Sequence, residues 1–133
     1  MKERNVWIID DDMVSQFAIK YKIEQSYPYN QVIGFYTVEE ALSMIKECAE
    51  KQKGLPNKIL LDLVLPDMNG WQFLKELEKV HGLIDGLEIY IVSAFSNSMD
   101  RKLAKEHAMV MGYFDKPLNK GSVDKMFILD KKD

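Results

Sequence analysis

Between Lys58 and Gly70 a short apolar run, Ile59-Leu60-Leu61, delivers one carboxylate, Asp62, to its end. A Pro66-Asp67-Met68-Asn69-Gly70 turn follows, and helical periodicity then begins with Phe73, Leu74 and Leu77. A short apolar run bounded by turn signals and followed by a helix is the pattern of a buried strand in an α/β sheet. Ligands of such sheets bind in the crevice outside the carboxyl ends of the strands. Asp62 is therefore expected at the mouth of a cleft, and the other strands are expected to bring their own end residues to it.

The same alternation runs through the whole chain. Val6-Trp7-Ile8-Ile9 reads as a first strand and ends on Asp10-Asp11-Asp12. Val14, Phe17, Ala18 and Tyr21 share one face of the helix that follows, and this face is expected to turn inward. Gln31 to Phe35 is a second strand. Thr37 is placed to cap the next helix with Glu40 as capping-box partner, and Ala41, Leu42, Ile45 and Ala49 form its apolar stripe. Leu87 to Val92 is a fourth strand ending at Ser93-Ala94, and Ser98 is placed to cap a helix that turns Leu103 and Ala104 inward. Val110 to Phe114 is a fifth strand, stopped by Asp115-Lys116-Pro117. A last helix runs from about Ser122 to Leu129 with Val123, Met126 and Phe127 on its inner face. Strands alternating with helices imply an α/β fold: a parallel, doubly wound sheet with right-handed crossovers.

In such a sheet every carboxyl end lies on one side. Asp10 and Asp11, then Asp62, Ser93 and Lys116, are expected to meet there. Three close carboxylates repel one another, and burial raises their pKa values further. A hard divalent cation such as Mg2+ relieves both problems with oxygen ligands. Metal, lysine and hydroxyl together suit a phosphoryl group, and a carboxylate can itself become the nucleophile. Lys116 precedes Pro117, the bond type that can be cis, and the sequence leaves the isomer open.

Composition narrows the remaining choices. The 133 residues suit one compact domain spanning 1–133, with no room expected for a second. A net charge of −3 gives no case for direct nucleic-acid binding. Cys48 is the sole cysteine, so no internal disulfide can form, which fits a reducing cytoplasm. No apolar run approaches the roughly 18 residues of a membrane span, and the first residues do not form a signal peptide.

Four segments resemble one family: Trp7 to Asp12, Leu60 to Gly70, Ile91-Val92-Ser93-Ala94 and Tyr113-Phe114-Asp115-Lys116-Pro117. The chain looks like a receiver domain of two-component response regulators, of the single-domain chemotaxis-regulator type. The resemblance implies a flavodoxin-like (βα)5 fold with strand order 2-1-3-4-5. It implies that Asp62 accepts a phosphoryl group from a histidine kinase or a histidine phosphotransfer protein. Asp11 and Asp62 would ligate Mg2+ directly, Asp10 through water, and the main-chain carbonyl of Val64 would join them. Ser93 and Lys116 would meet the phosphoryl oxygens. Tyr113 matches the aromatic switch residue, and the face made by the fourth helix, fifth strand and fifth helix would pass the signal to a downstream protein.

Two departures from the family pattern stand out. Met109-Val110-Met111 replaces a small Gly-Ala pair, which points to an apolar output face. Val64 and Phe95 occupy positions that tune loss of the phosphoryl group, and neither side chain can orient water, so that loss is expected to be slow.

Blander readings apply elsewhere. Asp12 suits a helix cap and Asp67 a turn. His81 and His107 suit helix-end charges, and Cys48, Trp71 and Met126 suit packing. The rival function is a haloacid-dehalogenase-like phosphatase, with Asp10 as nucleophile and Asp12 as general acid/base. It lacks a later acidic pair and leaves Asp62 without a role, so a signalling module rather than an enzyme is the expected outcome.

Overall fold

The computed structural model describes residues 4–80, 86–94 and 97–128. Strands and helices alternate along them: β1 (Asn5–Ile9), α1 (Met13–Ser26), β2 (Gln31–Phe35), α2 (Val38–Lys51), β3 (Lys58–Leu61), α3 (Gly70–Glu78), β4 (Glu88–Ser93), α4 (Ser98–Glu106), β5 (Val110–Asp115) and α5 (Lys120–Phe127). The strands form one parallel sheet in the order β2-β1-β3-β4-β5. This is the doubly wound arrangement and the strand order expected from the sequence.

Alternation along each strand divides the core between the two faces of the sheet. Val6, Ile8, Leu60, Tyr90 and Val92 pack with Ile19 and Ile23 of α1 and with Val123, Met126 and Phe127 of α5. Trp7, Ile9, Ile59, Leu61 and Ile89 pack on the other side with Val38, Ala41 and Ile45 of α2 and Phe73, Leu74 and Leu77 of α3. Ile91 meets Leu63 and Ala104 of α4 on that side.

The inner face of α1 is not the expected one. Val14, Phe17, Ala18 and Tyr21 point outward, with Val14 77% and Phe17 73% exposed, and Gln16, Ile19 and Ile23 are buried instead. Both rows repeat at helical spacing on opposite sides of the helix, so periodicity alone cannot choose between them. Gln16 decides the rotation. Its amide Nε2 donates to the carbonyls of Phe35 at 2.7 Å and Asp10 at 2.8 Å, pinning α1 to the ends of β2 and β1. Gly34 makes the room, because a Cβ there would lie 1.8 Å from Gln16 Oε1.

Other helix ends follow their local chemistry. Asp12 caps α1, accepting from the amides of Val14 and Ser15. Thr37 caps α2 by accepting from the Glu40 amide. The Glu40 carboxylate accepts from the Tyr36 amide and the Thr37 hydroxyl, which differs from the reciprocal box expected. The reciprocal box is at α3, between Asn69 and Gln72. Asn97, not Ser98, caps α4, and Leu103 on that helix is 39% exposed rather than inward. The last helix begins at Lys120, two residues before the expected start, capped by Asn119.

Asp67 does more than start a turn. Its carboxylate accepts from the amides of Val38 at 3.2 Å and Glu39 at 3.0 Å, tying the loop after β3 to the start of α2. Desolvation is the largest single influence and raises the Asp67 carboxyl, but backbone amides of Glu39, Val38, Asp67 and Met68 together hold it below its usual range. His107 sits at the end of α4, where Nε2 lies 2.9 Å from Glu78 Oε1 and Nδ1 accepts from the Met109 amide. Cys48 is half-buried against the α2–α3 side of the core, and Met126 is 3% exposed. His81 lies outside the described residues.

Candidate functional site

The carboxyl ends of β1, β3, β4 and β5 form the walls of one cleft. The ladder continues one residue past β1 and β3: the Asp10 amide donates to the Phe35 carbonyl at 3.0 Å and the Asp62 amide to the Ile9 carbonyl at 2.9 Å. These backbone bonds hold two carboxylates at the rim with little freedom. Asp10 is 2% exposed and Asp62 8%, whereas Asp11 is exposed. One carboxylate oxygen from each of Asp10, Asp11 and Asp62 falls within 4.8 Å of the others.

Lys116 reaches across from the end of β5. Its amide donates to the Ser93 carbonyl at 2.9 Å, which fixes it beside β4. The Lys116–Pro117 peptide is cis. The Lys116 ammonium lies 2.6 Å from Asp10 Oδ2 and 2.9 Å from Asp62 Oδ2, bridging the two acids. Asp62 Oδ1 accepts from the Val64 amide at 3.0 Å. Asp10 Oδ1 accepts from the Asp12 amide, and Asp10 Oδ2 also accepts from the Ser15 hydroxyl, each at 2.9 Å.

The electrostatics follow from this crowding. Burial pushes the Asp62 carboxyl above the usual carboxylate range, and the bonds from the Val64 amide and Lys116 offset it only in part. Burial opposes the Lys116 charge as well, but the bonds and charges of Asp10 and Asp62 outweigh it and raise the ammonium's pKa. Two buried carboxylates thus share one ammonium, with the exposed Asp11 carboxylate beside them. Oxygen donors of this kind, this close together, fit a hard divalent cation.

The remaining candidates take defined places. Ser93 ends β4 and is 1% exposed. Tyr113 pairs with Ile91 across β4 and β5, and its half-buried ring packs against Leu63, Ile91 and Ala104. Its hydroxyl is buried with no hydrogen-bond partner among the described residues. The Arg101 guanidinium lies 4.7 Å from the Tyr113 ring centroid and holds both Asp115 oxygens, at 2.9 and 2.8 Å. Trp71 does more than pack: its indole Nε1 donates to Asp100 Oδ1 at 3.0 Å, joining α3 to the first turn of α4. The Val64 side chain is 59% exposed, and Phe95 lies outside the described residues. Met111 is 59% exposed on β5, whereas Met109 and Val110 are partly buried against the α2–α3 side of the core.

Sequence reasoning missed Ser15, Gln16 and Arg101. Ser15 falls five residues after Asp10, within reach once Asp12 starts the helix, so its signal was present but short-range. Gln16 and Arg101 find their partners only through tertiary packing.

A parallel α/β sheet with an acid cluster, a hydroxyl and a bridging lysine at its carboxyl edge places a candidate ligand site where the doubly wound class binds its ligands. The chain belongs to the response regulator receiver domain family, whose model matches residues 6–127. It is 30% identical over 121 residues to the protein-glutamate methylesterase/protein-glutamine glutaminase 2 of Vibrio vulnificus, a match covering 87% of this chain and 31% of that protein. The chain therefore spans about a third of that relative's length. A two-component response regulator from Legionella pneumophila is 28% identical, with a TM-score of 0.81 and coverage of 98% of this chain and 100% of that one. The fold is shared with a two-component response regulator from Cytophaga hutchinsonii at 18% identity, with a TM-score of 0.87 and full coverage of both chains.

The chain is thus a receiver domain of two-component signalling, a class that histidine kinases phosphorylate. The phosphatase reading is not supported. Asp12, its proposed acid/base, is engaged as the cap of α1. No described helix is long and apolar enough to cross a membrane.

Proposed function

We propose that Asp62 accepts a phosphoryl group from the phosphohistidine of a histidine kinase or a histidine phosphotransfer protein. A carboxylate oxygen of Asp62 attacks phosphorus and forms an acyl-phosphate O–P bond as the donor's P–N bond breaks. The imidazole nitrogen keeps the electron pair and takes up a proton. Asp10, Asp11, Asp62 and the Val64 carbonyl would hold Mg2+, which when bound offsets the charge of the phosphoryl oxygens. Lys116 then exchanges its two carboxylates for a phosphoryl oxygen, and the Ser93 hydroxyl donates to another. The observation that carries this reading is the Lys116 ammonium bridging Asp10 and Asp62 in a cleft with Asp11.

The exposed apolar row of α1 borders the same rim and suits contact with the donor protein. Readout is assigned to the face of α4, β5 and α5, where Tyr113 lies under Arg101 beside the exposed Met111. Burying a tyrosine hydroxyl without a partner is costly, so its inward position is sensitive to where Ser93 is drawn. The module passes its signal by protein contact in the cytoplasm, without direct contact to nucleic acid or membrane and without catalytic turnover of its own.

Incubation with phosphoramidate and Mg2+ is expected to add the mass of one phosphoryl group to the intact chain. Chelation by EDTA is expected to remove that uptake. Equal uptake in EDTA would contradict the assignment of the three acids to an ion.

A further inference from the structure

We propose that Ser15 is a positioning residue for the cation site: its hydroxyl fixes the Asp10 carboxylate in the orientation the ion requires. The proposal rests on the reading of Asp10, Asp11 and Asp62 as an ion-holding group. Ser15 belongs to none of the segments that carry the family resemblance.

Its setting is rigid on both sides. The Asp12 carboxylate accepts from the Ser15 amide at 3.3 Å and from the Val14 amide at 2.9 Å, which fixes the first turn of α1. Gln16, the next residue, bonds the carbonyls at the ends of β1 and β2. Held between these anchors, Ser15 turns its hydroxyl toward β1 and donates to Asp10 Oδ2 at 2.9 Å. Ser15 sits in the first turn of α1, and its hydroxyl bonds the Asp10 carboxylate rather than capping the helix, a task Asp12 already performs.

Among the described residues, three donors serve Asp10. The Asp12 amide serves Oδ1, while Ser15 and Lys116 share Oδ2. The Lys116 ammonium is divided between Asp10 and Asp62 and must leave Asp10 to meet a phosphoryl oxygen. Ser15 and the Asp12 amide then remain, one donor for each carboxylate oxygen. A carboxylate held at both oxygens cannot rotate, so Asp10 stays aimed at the cleft whatever Lys116 does. Lys116 reaches Asp10 on a long side chain, whereas Ser15 is short and backed by a capped helix.

Partners that orient the ligands of a metal typically change its affinity by about 10- to 100-fold when removed. Asp10 is one acid of three, so the low end applies here. The full chain is titrated with Mn2+ as wild type, Ser15→Ala and Ser15→Thr, and the electron paramagnetic resonance signal of the unbound ion is followed. The dissociation constant is expected to rise roughly tenfold in Ser15→Ala and to stay within about twofold of wild type in Ser15→Thr. The Mg2+ concentration for half-maximal phosphorylation by acetyl phosphate should rise in step, with a smaller change in the rate at saturating Mg2+.

Two results overturn the proposal: a Ser15→Ala constant equal to wild type, which with a lowered melting temperature would assign Ser15 to stability alone, or a Ser15→Thr constant as weak as that of Ser15→Ala. A wild-type chain that bound no Mn2+ would overturn the ion reading of the acids and this proposal with it. That failure is distinct, because it shows in the wild type.

Discussion

Asp62→Asn is expected to lose phosphoryl uptake by at least about 1,000-fold, the scale on which removing a nucleophile acts, while raising the melting temperature of the metal-free protein. The two effects share one cause. Asp62 is 8% exposed, and burial raises its carboxyl pKa despite the Val64 amide and Lys116. A carboxyl with a raised folded-state pKa binds its proton more tightly in the native state than in the unfolded chain. Its ionisation therefore costs stability, beginning as pH rises through the unfolded value and complete above the folded one. Asparagine keeps the shape and an acceptor for the Val64 amide but carries no charge. Asp10 still pairs with Lys116 in the variant, through the 2.6 Å contact. The check is mass-detected uptake from a small phosphodonor beside thermal melting in EDTA at neutral pH. A variant that melts lower than wild type and still accepts the group would contradict both halves.

Lys116→Met should act in the opposite direction on stability. Its side chain is 15% exposed, and it is the ammonium that bridges Asp10 and Asp62. Removing one partner of a buried ion pair leaves uncompensated charge and costs roughly 3–5 kcal/mol when burial is complete. The cleft opens to solvent at Asp11, so about 2–4 kcal/mol is expected at neutral pH in EDTA. The pH dependence follows from the raised Lys116 pKa. The contribution of Lys116 is fully present below its unfolded-state pKa and is lost as pH rises through the folded value. Wild type should thus lose stability in strong alkali through this group, and the variant should lack that loss. Mg2+ is expected to stabilise the variant more than the wild type, because two bare carboxylates then await a cation. Urea unfolding with and without Mg2+ checks this. Equal midpoints for variant and wild type in EDTA would contradict the bridging role.

The strand ends were legible because their logic is local. An apolar run that stops on an acid, as at Ile9-Asp10 and Leu61-Asp62, announces both the strand and its exposed end. Parallel topology then places Asp10, Asp62, Ser93 and Lys116 on one edge without further information. The rotation of α1 was not legible. Its two rows, Val14-Phe17-Tyr21 and Gln16-Ile19-Ile23, differ in that the buried one contains a polar residue. Hydrophobicity favours the wrong row, and what decides is a glutamine amide that serves carbonyls at the ends of two strands. Gly34 carries the matching signal, but that signal is readable only once β2 is seen beside α1. The cap of α4 was misread by one residue because Asn97 and Ser98 are both good caps. Asp67 and Trp71 read only as turn and packing residues, and Arg101 carries no sequence signal, for a shared reason. Each forms a contact to another element, with the start of α2, with Asp100 and with Tyr113 and Asp115, that no local pattern encodes.

Where the phosphoryl group resides tests the account most directly. The chain is loaded with phosphoramidate and Mg2+, the acyl phosphate is reduced with borohydride, and the digested peptides are sequenced by mass spectrometry. The reduced side chain is expected at position 62 and nowhere else. Reduction at position 10 or 11, or a phosphoryl group that survives borohydride on a serine, would contradict the central claim.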